Sequence, residues 1–232
     1  MGAFVGGAIV MALGMIISAL SLTLPWYEET YSTSQEATPG GATGTGVTTF
    51  SLWALCDSGT SHSGWTGPTS SYGSCNLGSA LPATEALYRQ ALILLVSGLV
   101  IGGIAITLGL VLTLRNGLPT TWTTALLVAL TGLSVALLAL APAIVMMHQS
   151  AALRSDPGCD AVCSMGPAQS FSAGQGSASG VRWQASAVWG PGDGWVAATA
   201  GASVIAPGGV LLALSQRWSR RESMKDLAKE FT

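Results

Sequence analysis

Charged side chains are what this sequence has least of. Only 9% of its 232 residues are Asp, Glu, Lys or Arg, while 49% are hydrophobic; a soluble globular domain has roughly 25% charged residues. So few charges cannot cover the surface of a soluble fold, and so much apolar surface cannot stay solvated as a disordered chain. A formal net charge of −2 excludes a nucleic-acid partner held through its phosphates. Histidine is equally scarce, with only His62 and His148. With a mean hydropathy of +0.52, the class that remains is an integral membrane protein whose first partner is the lipid bilayer.

Four charge-free stretches are long enough for a hydrocarbon core of about 30 Å, which takes about 20 residues. They are 3–24, about 91–114, about 122–147 and about 195–214. The first has no basic leader, its apolar core exceeds the length usual in a signal peptide, and no small-x-small site follows, so it reads as an uncleaved anchor. Arg115 and the cluster Arg217, Arg220, Arg221, Lys225 and Lys229 make up six of the nine cations and fall on one side. The positive-inside rule then puts both termini in the cytoplasm of a cell membrane and the long loops, about 26–90 and 148–194, outside. Pro142 and Pro207 are expected to kink spans three and four.

None of these spans contains an ionisable side chain. A proton relay, a bis-histidine haem, paired catalytic carboxylates and a Ser-His-Asp set are all without their parts. The expectation is therefore a non-enzyme with no cofactor beyond structural lipid. Small residues mark helix faces instead: Gly98 and Gly102 form G-x-x-x-G, Gly2 and Gly6 repeat the spacing, and Ala197 precedes Gly201 by four. Such positions allow close backbone approach, either within the bundle or against another subunit's helix.

The four cysteines, Cys56, Cys75, Cys159 and Cys163, all lie in the outer loops, where an even count reads as disulfides. Three pairings are open, and within-loop pairing is favoured by sequence proximity. Cys159-x-x-x-Cys163-x-Met165 also resembles part of a binuclear copper site, but no histidine follows it, so a disulfide is preferred and no metal is expected. Strand signals interrupt the Gly/Ser/Thr-rich loops. Residues 181–189 place Val181, Trp183, Ala185, Ala187 and Trp189 on one face at period two, and 46–53 is similarly β-prone. Gly190 to Gly194 then turns the chain into span four. Trp26, Trp189 and Trp195 fit an aromatic belt at the headgroups or, alternatively, a binding surface.

Four spans, a long first outer loop and Trp26 followed by Leu52-Trp53-Ala54-Leu55-Cys56 and Cys75 resemble the claudin, peripheral myelin protein and AMPA-receptor auxiliary-subunit superfamily. Arg89 looks like that family's arginine at the head of span two. The resemblance implies a Cys56–Cys75 disulfide in an outer β-sheet, with the second loop adding a strand for which 181–189 is the candidate. Ser51 departs from the family's usual Gly, and the second loop carries its own cysteine pair. Seven Arg to two Lys, with two Asn, is the usage of a GC-rich prokaryotic genome.

Beyond span four, Ser219 and Glu222 have capping-box spacing and Met224, Leu227, Ala228 and Phe231 follow at helical period. A short amphipathic helix just beneath span four, over 217–232, is expected, with Arg217, Arg220 and Arg221 at anionic headgroups and Trp218 as anchor. The fold class is thus an all-α integral membrane protein: a four-helix transmembrane bundle carrying a small disulfide-braced extracellular antiparallel sheet, claudin-like. The functional expectation is an accessory or structural subunit packing on other integral membrane subunits of a larger complex. A small-solute channel or transporter, and an adhesion or receptor module acting through the outer loops, are the alternatives.

Overall fold

The computed structural model describes residues 2–35, 42–63, 69–75, 81–114, 121–157, 170–180 and 183–230. Its elements run α1 (Gly2–Leu20), β1 (Tyr27–Gln35), β2 (Ala42–Phe50), β3 (Leu55–Ser63), β4 (Thr69–Ser74), α2 (Pro82–Leu114), α3 (Thr121–Ser155), β5 (Gly174–Gly180), β6 (Trp183–Pro191) and α4 (Asp193–Glu230). Within them, Pro82–Leu112, Trp122–Ser155 and Asp193–Leu212 are long and apolar enough to cross a membrane, and Val5–Leu20 is a shorter apolar helix. The chain divides into two compact units, one of 1–20, 93–140 and 197–232, the other of 21–92 and 141–196.

The helical unit turns large apolar side chains outward as well as inward, unlike a soluble bundle. Along α1, Val5, Ile9, Leu13, Ile16 and Leu20 are exposed, whereas Gly7, Met11, Gly14 and Ser18 are buried. Both sets keep helical spacing, so one face is large and apolar toward the surroundings and the other is small and turned inward. The small face lets backbones touch. A Cβ on Gly14 would lie 2.9 Å from the carbonyl oxygen of Gly201, one on Gly208 would lie 2.8 Å from the Met11 nitrogen, and one on Gly7 would lie 2.9 Å from the Leu212 nitrogen. Between α2 and α3, a Cβ on Gly98 would meet Leu138 and one on Gly102 would meet Ser134, whose hydroxyl donates to the Gly98 carbonyl at 2.7 Å. Gly98, Gly102 and Gly201 therefore pack within the bundle. Gly6 does not: nothing lies within 4 Å of a Cβ there, and its neighbour Gly7 makes the approach instead.

The second unit is built on one six-stranded antiparallel sheet ordered β4-β3-β2-β1-β6-β5. Two strands from the second loop join four from the first by pairing β6 to β1, with Glu29 opposite Trp189 and Thr33 opposite Ala185. On β6, Ala185, Ala187 and Trp189 are buried while Ser186 and Val188 are exposed, as the alternation requires. Where a large ring must lie across a strand, its neighbour is glycine. Tyr31 covers Gly46 to reach the Asp57 carboxylate on β3, and the Trp189 ring covers Gly174 on β5.

Several sequence expectations are corrected. Four helices and an antiparallel sheet are present as expected, but the sheet has six strands rather than being small, and the unit that holds it also takes in the ends of α2, α3 and α4. The first loop does not run to residue 90, because α2 begins at Pro82, and α3 runs past 147 to Ser155. The helix expected over 217–232 is present as the unbroken continuation of α4 to Glu230. Pro142 and Pro207 lie within α3 and α4, which run on past them as kinked helices also do. The β-prone stretch 46–53 ends as strand at Phe50, and Leu52-Trp53 form a bend.

Candidate functional site

The sheet unit gathers most of the residues the sequence singled out. A bend after β2 is tied by Ser51: its N–H and hydroxyl donate to the Ala54 carbonyl, and its Oγ accepts the Ala54 N–H. The hydroxyl does here what a glycine could not. The bend drives Leu52 inward, 2% exposed, and turns Trp53 outward, 66% exposed. Trp53 is nevertheless fixed, because its indole N–H donates to the Leu22 carbonyl at 2.6 Å.

Trp26 is fully buried, its indole N–H donating to the Ser21 carbonyl. Gly192 and Gly194 come against it: a Cβ on Gly194 would strike the Trp26 ring and the Leu24 carbonyl. The Gly192 and Gly194 N–H groups donate to the Trp26 and Pro25 carbonyls. This close approach explains the Gly-Pro-Gly-Asp-Gly run. Trp189 is 8% exposed and Trp195 donates its indole N–H to the Pro142 carbonyl. Trp26 and Trp189 are thus core residues of the sheet unit, neither an aromatic belt nor an open binding surface.

Beneath them lies an aromatic cluster missed by the sequence reading. Tyr27 meets Phe50 edge-on at 5.7 Å and Phe171 at 5.5 Å; Phe50 stacks on Tyr88 at 6.0 Å. The buried Tyr88 hydroxyl donates to Gln149 Oε1 at 2.8 Å. The Tyr27 hydroxyl is buried and has no hydrogen-bond partner among the described residues. Burial first, and then the Glu29 carboxylate nearby, hold its pKa well above the ordinary tyrosine value, so it stays neutral throughout the physiological range.

One polar arrangement has a clear structural task. Helix α2 starts with Pro82 at its first position, preceded by Leu81, which has no side-chain oxygen to cap the helix. Asp156, just past the end of α3, supplies the cap from elsewhere in the chain: its carboxylate accepts the N–H of Ala83 at 2.6 Å, the N–H of Thr84 at 3.0 Å and the Thr84 hydroxyl at 2.6 Å. The free helix amides and the positive end of the dipole both favour a carboxylate there. Arg89 pairs with Glu85 one turn earlier on α2, an exposed pair worth little energetically.

Cys56 and Cys75 form a disulfide joining the start of β3 to the end of β4, next to the Asp57–Ser74 pair. By chain entropy, a bridge across this separation stabilises the fold by about 3 kcal/mol. Cys159 and Cys163 lie outside the described residues. Trp183 sits on β6, and Arg217, Trp218, Arg220 and Arg221 sit on the continuous α4. Among the described residues, no group of three or more His, Cys, Asp or Glu side chains could hold a metal ion. No family model matches this chain, and no curated protein matches it.

Proposed function

We propose that the protein is a multi-pass membrane protein of four spans, with α1 as the fourth, both termini cytoplasmic and a claudin-like layout. In this reading it is a non-catalytic accessory or structural subunit that packs on other integral subunits of a larger complex. The outward apolar face of the helical unit carries the proposal. Large side chains such as Ile9, Leu13, Val100 and Ile104 face outward, while the buried polar residues among those described there are the hydroxyl-bearing Ser18, Thr131 and Ser134. An outward apolar face of this extent suits lipid or another helix. Hydroxyls alone offer neither a titratable relay nor a charged path for a transporter.

Purification from native membranes in mild detergent, followed by intact-complex mass spectrometry, tests this reading. A stoichiometric integral-membrane partner is expected. A protein that runs alone at every detergent concentration would overturn it.

A further inference from the structure

One exposed face of the sheet carries a regular arrangement of hydroxyls. By strand register, Ser177 pairs with Ser186, Ser186 with Ser32, Ser32 with Thr45, and Thr45 with Thr60. Five hydroxyl side chains therefore form one row across five consecutive strands, all exposed. Two residues along, a second row runs Ser179, Gln184, Ser34 and Thr43. The strands are about 4.8 Å apart and the rows about 6.8 Å apart, so the first row extends roughly 19 Å. Ser32 and Ser186 are 2.7 Å apart and Thr45 and Thr60 3.1 Å apart through their side-chain oxygens.

The face is also concave. A cavity of about 510 Å³ is lined by residues of both rows with Thr33, Gly44 and Ala185 between them, within the roughly 300–1,000 Å³ typical of small-molecule sites. None of its lining residues is charged or aromatic. An anionic ligand would call for Arg, Lys or a helix N-terminus, and a cation for carboxylates. Hydroxyls and a carboxamide both donate and accept, which matches a ligand whose own groups do the same. The adjoining row, Val188, Thr30 and Val47, adds an apolar strip, with Val188 59% and Val47 37% exposed.

We propose that this face binds a neutral oligosaccharide, its hydroxyls on the two Ser/Thr rows and its C–H edge along Val47 and Val188. The inference stands on the sheet and is independent of the accessory-subunit reading. The length of the row suits several sugar units rather than one.

Isothermal titration of the full-length protein in nanodiscs with maltohexaose, cellohexaose and N-acetylchitohexaose tests it. At least one is expected to bind with a Kd below about 1 mM, and the double variant Thr45→Val, Ser186→Ala to weaken it at least tenfold, about 1.4 kcal/mol. The wild-type melting temperature should be kept, because these side chains are exposed. If that variant does not fold, Ser34→Ala with Thr43→Val in the second row gives the same readout. No binding by any of the three, binding unchanged in the folded variants, or tighter binding of a heparin hexasaccharide would each overturn the proposal.

Discussion

Tyr27 and Tyr88 present the same buried phenol in opposite circumstances. The Tyr88 hydroxyl donates to Gln149 Oε1, whereas among the described residues the Tyr27 hydroxyl has no hydrogen-bond partner. Removing a hydroxyl that pairs with nothing is close to neutral, while removing one member of a buried pair strands the other. Tyr27→Phe should therefore leave stability unchanged or slightly raised, and Tyr88→Phe should lower it by about 1–3 kcal/mol, read by denaturant unfolding in detergent. The pH dependence follows from the raised pKa of Tyr27. Below the unfolded tyrosine value of about 10 both states are protonated and this group gives no slope. Above it the unfolded chain releases the proton first, so stability falls as pH rises. Tyr27→Phe should make that alkaline fall shallower; an identical slope in the variant would contradict the burial argument.

Asp156 belongs to the same scale. Asp156→Ala removes the cap of α2 and should cost about 1–2 kcal/mol, whereas Asp156→Asn should recover part of the loss, since Asn also accepts from helix amides. Equal losses in both variants, measured by thermal unfolding, would show that the carboxylate does something other than cap. The cap was not read from the sequence, which placed Leu81 and Pro82 in the first outer loop. Nor was the residue that supplies it, because Asp156 lies more than seventy residues away and nothing local marks it.

Among the elements, the helices were read well at their apolar centres and poorly at their ends. Glu85 and Arg89 end the hydropathy signal of α2, but a helix ends only where its backbone bonding ends, and α2 begins at Pro82. The strands were harder. β6 alternates apolar and polar residues and was anticipated; β1 (Tyr27–Gln35) and β5 (Gly174–Gly180) do not, because their hydroxyl and glycine positions give neither face a hydrophobic period. Their strand state comes from pairing on either side. The glycine spacing was informative but not specific. Gly201 and Gly6 both sit in small-x-x-x-small patterns, yet only Gly201 meets another backbone. Gly201→Leu should force α1 and α4 apart and lower the melting temperature by several degrees or prevent folding, by overpacking. Gly6→Leu should be tolerated. Equal tolerance of both in a thermal-shift assay would refute the backbone-contact account of the α1–α4 interface.

For the whole molecule, scarcity of charge carries the most information. It argued against a soluble fold, and the structure gives it a physical form: a helical unit with Val, Ile and Leu on its outside as well as Leu and Ile within, whose buried polar residues, among those described, carry only hydroxyls. Three helices meet the length and hydropathy needed to cross a membrane, and α1 falls short by length alone, although its outward stripe from Val5 to Leu20 is of the same kind. Whether α1 spans decides the topology. Fluorescent-protein fusions placed separately at the N-terminus and the C-terminus in intact cells read this directly, because an even number of spans puts both termini on one side. Fluorescence from both cytoplasmic fusions, with protease protecting both until the membrane is opened, is the expected result. Termini on opposite sides would mean three spans and would contradict the four-span account.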